Sequence, residues 1–121
     1  MTEAQFTSWL VELAQRFCWR VYHVPFPARQ VGGGRLVPEK RAAGFPDLVL
    51  VRVYEGTLYN PRLIFAELKG EKGRFSADQD AWLGDLREVG SYLCIGQSRW
   101  NVLAVYRWRP SDRDEIEKVL R

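Results

Sequence analysis

A mixed α/β fold, with a β-sheet flanked by helices in the order α-β-β-β-α-β-β-α, is what this chain of 121 residues predicts. Three observations carry that expectation. Apolar residues recur at helical spacing in two long segments, each behind a Ser or Thr cap. Several runs rich in β-branched and aromatic residues are bounded by Gly, Pro and Asn clusters. No internal repeat or low-complexity tract interrupts the alternation of helical and extended segments.

Thr2 to Cys18 carries Phe6, Leu10, Leu13, Ala14 and Phe17 at amphipathic spacing, and Thr2 with Gln5 has the pattern of a capping box. Arg20 to Val24 reads as a short strand. The segment from Pro25 to Gly44, about 20 residues, reads as a loop without structure of its own. It holds Arg29, Arg35, Lys40 and Arg41 against one acid, Glu39, with Gly32-Gly33-Gly34 in the middle. Asp47 to Val53 and Leu63 to Lys69 read as an antiparallel hairpin, with turn residues at Glu55 to Pro61 between them. Ser76 to Val89 is a second helix, capped by Ser76 with Gln79 and stopped by Gly90. Ser91 to Ile95 and Val102 to Trp108 are expected strands joined by a turn over Gln97 to Asn101. Pro110 ends the last strand, and Ser111 caps a terminal helix with Ile116, Val119 and Leu120 on one side.

The length suits one domain spanning residues 1–121, and a hydrophobic content of 46% is ample for a core. No run approaches the ~18 apolar residues that would span a bilayer, and Met1 to Gln5 lacks the features of a signal peptide, so a cytoplasmic location is expected. Cys18 and Cys94 stand among core-type neighbours and are expected to be buried thiols. The single His23 excludes His-rich zinc sites, two-histidine metalloprotease motifs and iron facial triads. It reads as a structural group. A net charge of +3 identifies no partner by itself, but the cationic segment 25–44 suits a polyanion.

The chemistry concentrates in Gly44-Phe45-Pro46-Asp47 and Phe65-Ala66-Glu67-Leu68-Lys69. Strand alternation puts Glu67 and Lys69 on one face, with Ile64, Ala66 and Leu68 on the other. If Asp47 pairs across to Glu67 or to Lys69, all three share a face within roughly 5 to 8 Å of one another. A register slip of one residue would separate them. Two close carboxylates repel unless something cationic stands between them. Mg²⁺, which takes one or two carboxylates plus waters and phosphate oxygens, answers that need, and so does Lys69 in a plain salt-bridged cluster. With a metal, the Lys69 ammonium is placed to orient or help deprotonate an attacking water, the parts list of phosphodiester hydrolysis.

Further residues follow from helix geometry. Glu3 falls at the edge of the first apolar stripe and can look toward the sheet, whereas Glu12 falls on the solvated side. As a plain alternative, Glu3 complements the helix dipole. Gln79 shares a face with Leu83 and Leu86, where a cap and a site role can coexist. Lys72 and Arg74, just after Lys69, suit phosphate contacts or a solvated turn. Arg107, Arg109 and Arg113 are open to the same two readings, and Trp82, Trp100 and Trp108 read as core or interface aromatics.

Glu3 in Thr-Glu-Ala-Gln-Phe, Trp19-Arg-Val-Tyr-His23, Gly44-Phe-Pro-Asp-Leu48, Phe65-Ala-Glu-Leu-Lys69, Ser76-Ala-Asp-Gln79-Asp-Ala-Trp-Leu83 and Arg109-Pro-Ser-Asp112 together resemble the VRR-NUC (virus-type replication-repair nuclease) domain of the PD-(D/E)XK nuclease superfamily. The resemblance implies a restriction-endonuclease-like core and Mg²⁺- or Mn²⁺-dependent cleavage of DNA. Stand-alone phage or bacterial members of this size act as homodimers on branched DNA such as four-way (Holliday) junctions. It also implies that Asp47 and Glu67 are metal ligands, Lys69 the catalytic lysine, Glu3 the first-helix acid and Gln79 the motif glutamine. The expected function is a metal-dependent endodeoxyribonuclease of DNA repair. A DNA-junction-binding module that keeps the fold without turnover is the alternative.

Overall fold

The computed structural model describes residues 1–25, 28–30, 32–38, 43–95 and 102–121, with the backbone alone for 28–30 and 36–38. Helix α1 (Glu3–Arg16) leads into β1 (Arg20–His23). A small ribbon of β2 (Ala28–Gln30) and β3 (Leu36–Pro38) follows, then β4 (Leu48–Glu55), β5 (Leu58–Leu68), α2 (Ala77–Ile95), β6 (Leu103–Trp108) and α3 (Arg113–Leu120). Strands β1, β4, β5 and β6 form one mixed sheet in that order. The first two pairings are antiparallel, and β6 returns parallel to β5 after the α2 crossover. A mixed sheet flanked by helices is the expected class and is compatible with a restriction-endonuclease-like core.

Alternation on the strands decides which helix covers which face. Leu48, Leu50, Ile64, Ala66 and Leu68 point to one side, where they are buried with Phe6, Leu10, Leu13 and Ala14 of α1 and Ile116 and Leu120 of α3. At ~1.5–3 kcal/mol for each fully buried large apolar side chain, this layer is the main source of stability. The Thr2–Gln5 capping box forms as expected, with Thr2 N–H donating to Gln5 Oε1 at 2.8 Å and Gln5 N–H to Thr2 Oγ1 at 3.1 Å.

The far end of this face closes with a buried cation. Arg52, 5% exposed, lies 4.5 Å over the Trp19 ring and donates to the carbonyls of Phe17 (3.1 Å) and Leu120 (2.9 Å). Arg62 donates to Val119 O at 2.9 Å, and the Trp19 indole N–H to Leu120 O at 2.8 Å. The carbonyls ending α1 and α3, left without helical partners, carry partial negative charge, so they compensate a guanidinium that would otherwise be costly to bury.

Several expectations fail for physical reasons. Ser91 to Ile95 is not a strand: α2 runs on to Ile95, and Gly90 does not stop it. Gln79, Leu83, Leu86 and Gly90 make one stripe toward the sheet. Gly90 is where the helix comes closest, since a Cβ there would stand 2.7 Å from the Leu103 carbonyl oxygen. The β-propensity of Ser-Tyr-Leu-Cys-Ile yields to this packing. The 25–44 segment is not structureless, because β2 pairs with β3 through a turn at Gly32–Gly34. The hairpin turn shrinks to Gly56-Thr57, with Gly56 at φ +61°, and Glu55 to Pro61 otherwise lies in strands. Pro61, which has no N–H for the ladder, falls at the register shift opposite Arg52 to Tyr54. Asp112 precedes α3 where Ser111 was expected to cap it, and its carboxylate accepts from Arg109 N–H at 2.8 Å. Cys18 is not buried. It is exposed at φ +67°, the left-handed residue of a Schellman closure in which Trp19 N–H donates to Ala14 O and Cys18 N–H to Gln15 O, both at 3.0 Å. Cys94 is half-buried. The expected turn at 97–101 lies outside the described residues. Among those residues, no helix is long and apolar enough to cross a membrane.

If Gly90 is a contact point rather than a helix stop, Gly90→Ala lowers stability by about 1–3 kcal/mol through overpacking. Gly84, on the exposed side of α2 with open space around it, gains up to about 1 kcal/mol on substitution by Ala. Thermal unfolding of the two variants should therefore shift in opposite directions.

Candidate functional site

The site is built where β4 begins and β5 ends. Leu48 pairs with Ala66, and one step further out the register sets Asp47 opposite Glu67. Asp47, Glu67 and Lys69 therefore share a face, as parity requires. The backbone is pinned there from both sides. Val24 N–H donates to Asp47 O at 2.8 Å, and Lys69 N–H donates to Trp108 O at 3.1 Å. The Asp47 carboxylate stands where a strand carbonyl would stand, its Oδ2 accepting from Leu68 N–H at 2.9 Å.

Gly44-Phe45-Pro46 explains how Asp47 is aimed. Pro46 is buried and fixes its own φ. Phe45 meets Phe65 and Trp82 edge-on, with centroids 6.0 and 5.0 Å away. Gly44 has φ +85°, and a Cβ there would lie 2.6 Å from Gln79 N and closer still to the Asp78 carbonyl carbon. Only glycine lets this segment touch the first turn of α2 so closely.

That contact brings Gln79 to the carboxylates. Its amide works at both ends: Oε1 accepts from Ser76 N–H at 2.7 Å, completing the capping box with Gln79 N–H to Ser76 Oγ at 3.1 Å. The opposite end, Nε2, donates to Glu67 Oε1 at 2.7 Å. The cap thus fixes which way the amide points.

Glu67 is 2% exposed, and its second oxygen, Oε2, is buried without a hydrogen-bond donor. Burial first, then the charge of Asp47 and its hydrogen-bonding contact, push the Glu67 carboxyl up to about 8, with Glu3 adding in the same direction and Lys69 opposing. Lys69 is half-buried, its stem against Gly73. Glu3 lies at the exposed start of α1, in an open groove it shares with Thr7, Val11, Glu12 and His23. His23 is exposed on β1, opposite Leu48.

Two crowded carboxylates and an orphaned buried oxygen suit a hard cation. Among the described residues no group of three His, Cys, Asp or Glu side chains could hold one. A divalent ion at Asp47 and Glu67 would thus complete its shell with water and phosphate oxygens, as Mg²⁺ commonly does.

The basic residues divide. Lys72 and Arg74 are exposed in the turn after β5, and Arg35 is exposed beside the glycine turn of the small ribbon. Arg29 lies on β2 opposite Val37, with only its backbone described, and Lys40 and Arg41 lie outside the described residues. Two features escaped the sequence reading. One is the contact of Gly44 with α2, signalled only by a glycine before Phe-Pro-Asp. The other is Arg107, which the parallel pairing makes the direct neighbour of Glu67.

The raised Glu67 carboxyl has a consequence for stability in the absence of divalent cations. A carboxyl held above its unfolded value keeps its proton in the native state, so the stability it lends is complete below pH 4.5 and drains away as pH climbs through about 8. Metal-free Glu67→Gln therefore gains on the wild type as pH rises from 5 to 8, by an amount on the order of a few kcal/mol. Denaturant melts of both proteins at matched pH measure the gap; a gap independent of pH would contradict the assignment.

The VRR-NUC domain family model matches residues 36–100, more than half of the chain. The match takes in Asp47, Glu67, Lys69 and Gln79, while Glu3, Trp19 to His23 and Arg109 to Asp112 lie outside it. No curated protein and no solved structure matches the chain. A nuclease-family function, a DNA substrate and the general use of divalent metal go with the family, and on this match the chain belongs to the VRR-NUC domain family.

Proposed function

We propose that this protein is a divalent-metal-dependent endodeoxyribonuclease, selective for branched DNA and, in its sharper form, a Holliday-junction resolvase acting as a homodimer. The observation that carries the reading is the convergence of Asp47, just before β4, and Glu67, near the end of the adjacent β5, each with one oxygen tied by a protein donor and Lys69 two residues beyond. Asp47 and Glu67 would hold the ion, and Gln79 keeps Glu67 in place. A bound Mg²⁺ or Mn²⁺ would polarise a phosphoryl oxygen and acidify a water. Lys69, as an ammonium, would orient the attacking water and offset charge developing on the phosphate. Glu3, at the end of α1 and within electrostatic reach of Glu67, supplies a further acid at the margin.

Arg35, Lys72 and Arg74, with Arg29, Lys40 and Arg41 of the preceding segment, contact the DNA backbone, which makes binding salt-dependent. Branch preference and dimerisation rest on the family resemblance. Two-fold symmetry would let paired sites nick two strands of a junction.

Cleavage of linear duplex, single-stranded, flap and four-way substrates, each with Mg²⁺ or Mn²⁺, tests the reading. Asp47→Asn and Lys69→Ala are expected to lose roughly 100-fold or more in rate while still shifting junction DNA in a gel. Full activity in either variant overturns the mechanism. Junction binding by the wild type with no metal-dependent cleavage identifies the non-catalytic binding module instead.

A further inference from the structure

Two consecutive residues of α2 reach two adjacent strands at one level of the sheet. Gln79 donates to Glu67 on β5, and Asp80 pairs with Arg107 on β6. Glu67 and Arg107 are register partners in the parallel ladder. The first turn of α2 is thus held to the sheet by a double rung, one member of which grips the buried carboxylate.

Arg107 is itself held in place. Its guanidinium lies 4.8 Å over the Phe75 ring, and Arg109 lies 5.0 Å over the same ring. Arg109 in turn donates to Gly70 O at 2.6 Å and Glu71 O at 3.2 Å, closing the turn that follows Lys69. An ion pair whose partners are 34% and 53% exposed adds little to global stability. Its geometric effect is larger, because a planar guanidinium stacked on an aromatic ring presents its donors in one fixed direction.

We propose that Arg107 is a positioning residue for the carboxylate site: resting on Phe75 and gripping Asp80, it fixes the first turn of α2 so that Gln79 stays on Glu67. This rests on reading Asp47, Glu67 and Lys69 as the cleavage site. Arg107 acts through Asp80 and touches no substrate. Small displacements of a group that orients a catalytic ligand cost rate without necessarily weakening binding.

The test has two readouts. In metal-free protein, the Gln79 side-chain amide signals in a ¹⁵N-correlated NMR spectrum report its bond to Glu67. They are expected to move toward the position of an unbound glutamine amide in Arg107→Ala and in Asp80→Ala, and to stay put in the exposed-surface control Lys118→Ala. In cleavage assays both site variants should lose roughly tenfold or more in kcat with KM little changed, while Tm stays within about 3 °C of the wild type. Arg107→Lys, which keeps the charge but not the planar guanidinium that rests on Phe75, should recover only a minor part of the loss.

Unmoved Gln79 signals, or an unchanged kcat in Arg107→Ala, overturn the proposal. So does a kcat lowered by Arg107→Ala but not by Asp80→Ala, which would make Arg107 a direct phosphate contact. Full activity in Asp47→Asn would instead remove the nuclease reading, and the NMR signals would still decide whether Arg107 holds Gln79.

Discussion

The burial of Glu67 beside Asp47 is the constraint around which this end of the molecule is organised. Two carboxylates in cross-strand register, one of them nearly sealed from water, are unfavourable neighbours unless the surroundings hold them there. Each nearby feature contributes to that. Leu68 N–H fixes Asp47, Gln79 takes one oxygen of Glu67, and the Phe45 ring wedges the approach to Asp47 between Phe65 and Trp82. The cost is borne by the apolar layer beneath, where Leu48, Ala66 and Leu68 are fully or almost fully buried. Because the acids stand on strand ends over that layer, their separation is set by sheet geometry rather than by a loop.

The opposite end of the sheet solves the converse problem. Arg52 is buried there, and the carbonyl ends of α1 and α3 supply its compensation, with Trp19 beneath it and bonded to the same Leu120 carbonyl. The clasp locks both helices to the β4–β5 ribbon at the end remote from Asp47. The ribbon is therefore fixed at its Asp47 end and at Arg52, with the exposed tip around Gly56 projecting beyond the clasp.

Much of the site was legible because it depends on parity and spacing. Alternation set Glu67 with Lys69 and brought Asp47 to the same face, and the Ser76–Gln79 cap left the second end of the amide free for Glu67. What escaped depends on contacts between remote segments. Gly90 has the look of a helix stop, and only the approach of Leu103 makes it a point of contact within a longer helix. Arg107 was open between phosphate contact and solvated surface, and its place beside Glu67 was hidden because the register of a parallel pair joined by a long crossover is not written locally. Cys18 suggested a core thiol because its neighbours are apolar, but the closure of α1 places it in the left-handed position usually given to glycine. The cationic segment hid a hairpin whose strands have only three residues each, too short to show a period.

The fold keeps an acid that prefers its proton near neutral pH. A carboxyl raised to about 8 by burial and by a neighbouring acid is short of positive charge, and a proton supplies that as well as a cation does. Under the metal-dependent reading the two compete for the same oxygens, so a divalent ion would both displace the proton and relieve the repulsion between Asp47 and Glu67. Whatever binds the native state and not the unfolded chain adds to stability by mass action. Because the ion must displace that proton, its affinity would rise with pH through about 8, while ligands already placed on strand ends need little rearrangement to receive it.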